Sequence, residues 1–423
     1  MDTKEGSITS QKHPVLVVGG GISGMTTAIE LAEAGHEVIL IEKVPYLGGR
    51  VVKMNEYFPK RCPPYCGLEI NFKRIRQNHR ITIYTSTTLT DSSGQKGEFR
   101  VTLTTEAQYV DNKFTACGDC IKVCPAERPD EFNYNLTQTK AIYIPHVLAF
   151  PFKYSIDKSV CPGKDCGKCL EVCEYEAIDL SAQKTENQLI VHSIIFATGW
   201  RPYDLKNLPE FEAGKHPDII SNVMMERLGA PNGPTNGNIN CLSDRRIPNK
   251  IAFIQCAGSR DKNHLPYCSG VCCSATLKQA IFYTEQNSEG QAFIHYIDLR
   301  VSGRNEDFLK KVEENDRIHL IKGKVARIGR NSRTGSLVID SEHIDEDSKI
   351  SYDVDMIVLA TGIVPEQINL DKISYNNNGF IDSRNLPDGI YATGSAIKPM
   401  DVSSSVKDST GNALKAIQVI KTS

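Results

Sequence analysis

The sequence predicts an α/β fold of the Rossmann type, with two nucleotide-type domains and an inserted, cysteine-rich α+β segment. Three observations support this prediction. A G-x-G-x-x-G loop follows the first apolar run, two later apolar runs end in the same Ala-Thr-Gly phrase, and two cysteine runs stand between the loop and the first of those phrases. At 423 residues, the chain is long enough for about two to three domains.

The composition excludes two classes of function and suggests a third. Apolar residues make up 40% of the chain, charged residues 24%, and the net charge of −2 gives no reason to expect nucleic acid as a partner. No run of about 18 apolar residues predicts a bilayer span. Fourteen cysteines are the unusual feature. Because no export signal is recognisable, we expect a reducing compartment, where clustered cysteines indicate metal or redox chemistry.

The first apolar run and its loop have the pattern of a dinucleotide site. Val15–Val18 leads into Gly19, Gly21 and Gly24, and the next apolar run ends at Glu42. Gly19 permits a tight turn, Gly21 lets the backbone approach a pyrophosphate at a helix N-terminus, and Gly24 lets that helix pack on the strand. Glu42 can accept a hydrogen bond from a ribose hydroxyl. A glycine-rich turn in an unrelated α/β domain is the alternative. Further predicted contacts are Ile22, Ser23 and Lys43.

Later motifs favour FAD over NAD as the nucleotide. Gly49 and Arg50 follow soon after the acid, as in flavoproteins that resemble glutathione reductase. Residues 194–199 (IIFATG) and 357–362 (IVLATG) resemble the segments by which such flavoproteins cross between their two nucleotide domains. In the first of these segments, Thr198 and Gly199 are the predicted contacts.

The end of the chain resembles the C-terminal FAD motif of the same flavoproteins. Residues 389–395 (GIYATGS) place Gly394 and Ser395 near the ribityl chain. The motif usually ends in aspartate, so Ser395 is a departure that weakens the expected contact. A helix over about residues 411–419 is predicted to direct its N-terminal dipole at the flavin.

The second nucleotide domain lacks a glycine fingerprint. The equivalent strand, about residues 251–255, leads into a loop with four cysteines: Cys256, Cys268, Cys272 and Cys273. We predict that these thiols are ligands of a [4Fe–4S] cluster, which four cysteine thiolates can hold. Zinc is less compatible with an adjacent cysteine pair, and free core or redox thiols are the third alternative. The protein is therefore not expected to take hydride from NAD(P)H at this loop.

The insertion carries two ferredoxin half-motifs. The first is Cys117-x2-Cys120-x3-Cys124, and the second is Cys161-x4-Cys166-x2-Cys169-x3-Cys173. In two-cluster ferredoxins, three cysteines of one run share a cluster with the last cysteine of the other. By that rule, one complete [4Fe–4S] site consists of Cys161, Cys166, Cys169 and Cys124.

The remaining cysteines leave an incomplete site. Cys117, Cys120 and Cys173 lack a fourth partner because Phe114 stands where the first cysteine would be. A three-ligand cluster, a fourth ligand from elsewhere and no cluster all stay open. Cys62 and Cys66 are candidates for the missing ligand, for a redox dithiol near the flavin, or for plain packing. No other catalytic residue is assigned, and two clusters are predicted with a third left open.

These motifs predict a glutathione/thioredoxin-reductase-like, two-dinucleotide-domain flavoprotein with a ferredoxin-like insertion. The expected FAD domain comprises residues 13–110, 186–247 (with the crossover) and 356–423. The insertion occupies residues 111–185. The domain that carries the four-cysteine loop occupies residues 248–355.

The motifs together resemble the HdrA family, the flavin subunits of heterodisulfide reductases. The segments that carry the resemblance are GGGISG, YLGGR, QCAGSRD, YCSGVCC and the C-terminal ATGS…PMDVSSSVKDSTGNALKAIQ. FPKRCPPYCGLEINF and ATGWRPYD make the chain similar to the QmoA branch of that family, the flavoproteins of the quinone-interacting membrane-bound oxidoreductase of sulfate reducers.

The resemblance implies partners and a pathway. A QmoA-like chain works with a haem-bearing membrane subunit, together with a second HdrA-like flavoprotein subunit. It passes electrons between the menaquinone pool and adenylylsulfate reductase in dissimilatory sulfate reduction. It would be cytoplasmic and peripherally associated with the inner face of the membrane through its partners, without a membrane span of its own.

Three other functions stay open from the sequence. The chain can be the HdrA-like subunit of a sulfur-oxidising complex, or a stand-alone NAD(P)H-dependent disulfide reductase that uses Cys62 and Cys66 while zinc occupies the other cysteines. A non-enzymatic assembly module that retains only the fold is the third.

Overall fold

The computed structural model describes residues 13–301 and 303–422. A five-stranded parallel sheet forms the first nucleotide-type domain. Its strands are β1 (Val15–Val18), β2 (Val38–Ile41), β3 (Ile81–Tyr84), β11 (Ser193–Phe196) and β22 (Ile390–Ala392). They lie in the order β22-β11-β1-β2-β3.

The central strands of this sheet are apolar throughout because helices and a second sheet cover both of its faces. All four residues of β1 and of β11 are buried, and the two strands pair in parallel from Val15 opposite Ser193 onward. The covering helices are α1 (Ile22–Glu33), α2 (Pro64–Gln77) and α8 (Val402–Thr422). An antiparallel sheet covers the other face, with β5 (Glu98–Thr105) between β4 (Thr87–Gln95) and β10 (Thr185–Val191).

A second five-stranded parallel sheet forms the other nucleotide-type domain. Its strands are β13 (Ile219–Ser221), β14 (Lys250–Ile254), β15 (Gln291–Tyr296), β16 (Ile318–Lys322) and β20 (Met356–Leu359), in the order β13-β20-β14-β15-β16. Its helices are α5 (Asn222–Gly229), α6 (Cys272–Gln286) and α7 (Glu306–Glu313). An antiparallel sheet of β17 (Val325–Arg330), β18 (Leu337–His343) and β19 (Ser348–Val354) adjoins it.

The sheet pairing corrects the expected domain boundaries at two points. Strand β13 falls inside the stretch assigned to the FAD domain, and β20 inside its C-terminal part, yet both pair within the second sheet. Their apolar sequences suit either sheet, so sequence pattern alone does not assign them. The two chain crossings, β12 (Trp200–Pro202) and β21 (Ile363–Pro365), pair with each other.

The inserted segment has little regular structure. It contains two short helices, α3 (Asp119–Val123) and α4 (Lys168–Glu171), and two small hairpins. The hairpins join β6 (Glu127–Pro129) to β7 (Gln138–Lys140) and β8 (Ile142–Tyr143) to β9 (Ser155–Ile156). Its own small core combines cysteines with Phe114, Ile142 and Tyr154. Such a small core is typical of a segment that needs metal sites to fix its fold.

Short 3₁₀ helices complete the described structure. They cover Val51–Lys53, Glu131–Asn133, Gly163–Asp165, Leu205–Asn207, Pro209–Phe211, Gly303–Asn305, Ile344–Glu346 and Gly394–Ala396. None of the helices in the described ranges combines the length and the apolar character that crossing a bilayer requires.

Candidate cofactor sites

A cavity of about 440 Å³ lies where the two parallel-sheet domains and the insertion meet. Its size falls in the range of cofactor sites. Ten of the thirteen predicted nucleotide contacts line it, while Gly19, Gly24 and Gly394 lie behind its wall. The ten are Gly21, Ile22, Ser23, Glu42, Lys43, Gly49, Arg50, Thr198, Gly199 and Ser395.

The glycines behind the wall have packing roles. Gly19 has φ +112°, and a Cβ atom there would overlap the carbonyl oxygen of Ala197, which follows β11. A Cβ atom at Gly24 would overlap the carbonyl of Gly19, so only glycine lets α1 approach β1 this closely. Gly21, in contrast, faces open space: an added Cβ would meet only the Cα of Gly49, at 3.8 Å. That open cradle at the start of α1 fits a pyrophosphate.

Glu42 is buried at the end of β2 and supports the glycine loop. One of its carboxylate oxygens accepts the backbone N–H of Gly20 at 2.7 Å, and the other accepts that of Val44 at 3.1 Å. Burial raises the pKa of this carboxyl. Each oxygen has a second lone pair, so the side chain can also accept a hydroxyl from a ribose in the cavity.

The C-terminal wall differs from the prediction in where its helix begins. Helix α8 begins at Val402, nine residues before the predicted start near 411. Asp401 caps it by accepting the Ser404 N–H at 2.6 Å, and residues of this first turn line the cavity. The helix N-terminus therefore does face the cavity, from a different position in the sequence.

A carboxylate that the sequence analysis missed holds the C-terminal motif in place. Asp408 on α8 accepts the Gly394 N–H at 2.9 Å and the Thr393 hydroxyl at 2.7 Å. Ser395, which stands where the motif usually has aspartate, lines the cavity and donates to the Met400 carbonyl at 3.5 Å.

The second domain supplies a wall that no motif predicted. Lys278 on α6 is fully buried, pairs with Glu226 at 2.8 Å and donates to the carbonyl of Glu56 at 2.6 Å. Gln279 donates to the same Glu226 carboxylate at 2.7 Å. A buried charge pair of this kind has no local sequence signature, because its two members come from separate helices, α5 and α6.

The segment after Arg50 and helix α5 each supply a buried basic side chain. Lys53 donates to the carbonyl of Glu131 at 2.7 Å and lies 4.8 Å from the ring centre of Tyr134. Burial, together with the charge of Arg50, lowers the pKa of Lys53 to about 7. Arg227 is also fully buried and lies 4.7 Å from the ring centre of Phe132. Of these two side chains, Lys53 lines the cavity and Arg227 does not.

The structure brings the four cysteines of the second loop together at the start of α6. Burial raises the pKa of the Cys272 thiol, and the neighbouring thiols of Cys273, Cys256 and Cys268 raise it further. Four thiols that oppose one another's ionisation are suited to a group that neutralises their charge when they bind it. This donor set fits a [4Fe–4S] cluster.

The predicted complete set in the insertion is also brought together. Burial raises the pKa of the Cys169 thiol, and Cys161, Cys124 and Cys166 add to the shift. These four thiols come from both cysteine runs. They lie near one another because α3 packs against α4. They fit a [4Fe–4S] cluster in the same way.

Two cysteines of the predicted incomplete set are neighbours. Cys120 lies beside Cys117. Burial raises the pKa of Cys120 to about 11, and the neighbouring Cys117 thiol adds to the shift. The Sγ of Cys173 accepts the Ala177 N–H at 3.4 Å. The ring of Phe114 packs edge-on against Tyr154, with 4.6 Å between ring centres, so it fills core space at this position.

Cys62 and Cys66 are both exposed, and neither lines the cavity. Within the described ranges, no three His, Cys, Asp or Glu side chains are arranged around a point that would hold a single metal ion. A cubane cluster spaces its thiolates further apart, because each one binds a different iron atom.

Comparison with known proteins identifies the fold of the chain. Residues 17–60 match the NAD(P)-binding Rossmann-like domain family. Two thioredoxin reductase structures share the fold: that of T. acidophilum (TM-score 0.54, 12% identity, covering 96% of this chain and 98% of that one) and that of Lactococcus lactis (0.52, 14%, 97% and 100%). These likenesses confirm the predicted two-dinucleotide-domain flavoprotein fold.

Curated relatives match over nearly the whole chain. The A-type chain of the H2:CoB-CoM heterodisulfide,ferredoxin reductase of Methanothermobacter thermautotrophicus is 32% identical, over 98% of this chain and 65% of its own length. The A-type chain of the ferredoxin/F420H2-dependent CoB-CoM heterodisulfide reductase of Methanosarcina acetivorans is 33% identical, over 99% and 55%. An A-type iron-sulfur chain of the CoB-CoM heterodisulfide reductase of Methanopyrus kandleri is 34% identical, over 95% and 63%. This chain thus spans less than two thirds of these relatives, and the similarity over that length supports the HdrA-like resemblance of its motifs.

Proposed function

We propose that this chain is an electron-transfer oxidoreductase subunit of a heterodisulfide-reductase-like complex. FAD would occupy the cavity, and two [4Fe–4S] clusters would occupy the two four-cysteine sets. When bound, FAD supplies the exchange between two-electron chemistry and single-electron transfer to the clusters. The protein's own residues would bind the pyrophosphate at α1, orient the ribose at Glu42 and hold the cluster thiolates.

One observation supports the proposal above all others. Helix α6 begins with the adjacent pair Cys272 and Cys273, while Val271 just before the pair and Ala275 just after it line the cavity. A cluster on these thiols would therefore be a direct neighbour of a flavin in the cavity. In nicotinamide-dependent relatives of this fold, the corresponding strand-to-helix loop would bind a second nucleotide.

The insertion supports a second route for electrons. Cys124, in the predicted complete set, comes shortly before Arg128, which is buried and lines the cavity. An ion pair with Asp157 at 2.7 Å holds Arg128, and the backbone carbonyl of Asp157 accepts the N–H of Cys161. The backbone at Cys161, in the second set, is thereby linked to the wall of the same cavity.

A more specific function, which we call the finer proposal, is a QmoA-like role. In that role, the chain passes electrons between the menaquinone pool and adenylylsulfate reductase during dissimilatory sulfate reduction. Its partners would be a second HdrA-like flavoprotein and a haem-bearing membrane subunit, which would bring it to the inner face of the cytoplasmic membrane. The resemblance of residues 58–72 and 197–204 to QmoA supports this choice over a sulfur-oxidising relative.

Composition of the anaerobically purified protein tests the cofactor proposal. We expect about one FAD and about eight iron and eight sulfide atoms per chain, with more iron if Cys117, Cys120 and Cys173 also hold a cluster. Zinc without acid-labile sulfide would favour the stand-alone disulfide reductase instead. Absence of both flavin and iron would favour an assembly module.

Recovery of partners tests the QmoA-like role. A tagged chain purified from its native membranes in mild detergent should bring down a second flavoprotein and a haem-bearing subunit. Addition of a menaquinol analogue should then reduce the haem and the flavin. Recovery of sulfur-oxidation enzymes in place of the haem protein would overturn the finer proposal and leave the cofactor proposal intact.

A further inference from the structure

We propose that Arg260 is a positioning residue that holds the Cys256 thiolate and sets the reduction potential of the cluster on the second loop. This inference rests on the proposed function, because it concerns the iron–sulfur group assigned to Cys256, Cys268, Cys272 and Cys273. The four cysteines would bind the cluster, and Arg260 would tune its reduction potential.

The Arg260 guanidinium lies near two of the four cysteines, Cys256 and Cys273. Arg260 and Cys256 line the same small pocket, and the Nη2 of Arg260 pairs with the Asp298 carboxylate at 2.8 Å. The backbone carbonyl oxygen of the same Asp298 lies 3.8 Å from the Cys273 Sγ. One arginine and one aspartate therefore connect a cysteine of the loop to a cysteine of α6.

Arg260 also has spare donor capacity at this position. Its Nη1 is buried and has no well-formed hydrogen bond to any residue in the described ranges. A buried guanidinium N–H without a partner is costly in a finished structure. A thiolate–cluster group would remove that cost by accepting from it.

The loop around Arg260 is fixed independently of any cluster. The Arg260 N–H donates to the Tyr267 carbonyl at 3.1 Å, and the hydroxyls of Ser259 and Ser269 are 2.9 Å apart. Ser269 in turn accepts the N–H of Ile363, on the crossing strand β21, at 2.9 Å. The guanidinium is therefore held in place before a metal group binds, as effective tuning requires.

The direction of the effect follows from charge. Taking up one electron makes a cluster and its thiolates more negative. A positive donor at a ligand sulfur consequently stabilises the reduced state more than the oxidised state and raises the potential. A second cation, Arg300, contributes a backbone N–H to Cys273 and adds charge of the same sign.

The test is an EPR-monitored redox titration of the FAD-loaded, cluster-loaded chain with dithionite and mediators. Arg260→Gln should lower the equilibrium constant for one-electron reduction of this cluster about tenfold, or about 59 mV for a one-electron couple. Arg260→Lys retains the charge but not the planar fork. Its cluster should have a reduction potential between those of the wild type and Arg260→Gln. Arg246→Gln makes the same change of net charge in an ion pair with Asp244 and Asp355 and should leave the potential unchanged.

The possible outcomes separate this inference from the proposed function. A cluster that is present in Arg260→Gln with the wild-type potential would overturn the role of Arg260 alone. A shift of equal size in Arg246→Gln would also overturn it, because the effect would then be one of net charge. If the wild-type chain binds no iron that depends on Cys268, the proposed cluster site itself fails.

Discussion

Two strand–loop–helix units of this molecule have the same topology and different chemistry. In the first domain, β1 passes through Gly19–Gly21 into α1, and the loop is a bare backbone turn with room for a phosphate. In the second domain, β14 passes through residues 255–271 into α6, and the loop with the helix's first turn carries four cysteines. Both helices direct their N-termini at one cavity.

The comparison shows that the loop, and not the sheet, decides what the domain binds. Removing every side chain from the first loop exposes backbone N–H groups to a pyrophosphate. Lengthening the second loop and adding thiols converts the equivalent position into a metal site. If both loops are occupied as proposed, flavin and cluster would be neighbours without any new fold.

Breaking the second loop should have the largest effect. Cys268→Ala removes one ligand from the four-cysteine set, so we expect complete loss of that cluster's EPR signal with the flavin spectrum retained. Cys241→Ala is the matched control, because Cys241 is buried outside the set. An unchanged signal in Cys268→Ala would show that the ligand set is wrong.

Filling the first loop should remove the flavin. Gly21 has φ −74°, which suits any residue, and its Cβ direction is open, so Gly21→Val should fold and place a side chain in the pyrophosphate cradle. Overpacking of up to about 3 kcal/mol would weaken FAD binding roughly 100-fold. Gel filtration removes unbound flavin, and the flavin absorbance of the protein fraction then measures how much FAD stays bound. Gly411→Ala, where an added Cβ meets nothing, should keep its flavin.

The wall behind the second loop should matter for stability. Lys278→Met leaves the buried Glu226 carboxylate without its cation, which we expect to lower the free energy of unfolding by about 3–5 kcal/mol. Lys215→Met breaks the exposed pair with Glu212 and should cost no more than about 1 kcal/mol. Urea unfolding of both variants decides this, and equal effects would contradict the burial argument.

Lys53, in the wall of the cavity, should give the smallest effect when it is taken per pH unit, and this effect depends on pH. The pKa of Lys53 is about 7 in the fold, against 10.5 for a free lysine, so between those values the unfolded chain binds more protons. Stability from this residue therefore rises with pH across that window, by at most about 1.4 kcal/mol per pH unit.

Lys53→Met lacks this contribution. The wild type should gain stability relative to the variant as the pH rises from about 7 to about 10. Urea midpoints measured across that range test the expectation. A difference that stays constant with pH would show that Lys53 is charged in the fold.

The sequence predicted those parts of the site that depend on local spacing. Gly19, Gly21 and Gly24 act through one turn and one helix contact, so their order in the chain predicts their roles. The ferredoxin spacing likewise predicted that thiols of the two cysteine runs lie close together, as Cys169 does to Cys124 of the other run, while the division into ligand sets stays a prediction.

The remaining parts depend on long-range packing that no local pattern encodes. Lys53, Lys278 and Arg227 are ordinary polar residues in the sequence, and only the meeting of three segments buries them. The start of α8 was missed for a different reason. Serines and an aspartate at residues 401–405 have the pattern of a loop, yet Asp401 is the cap that begins the helix.

Anaerobic mixing of the purified chain with NADH and NADPH tests the central claim most directly. If thiolate-bound iron has replaced the second nucleotide, the flavin should stay oxidised with either nicotinamide and become reduced when dithionite is added. Rapid bleaching of the flavin by NADH, in a preparation that contains no iron, would contradict the account.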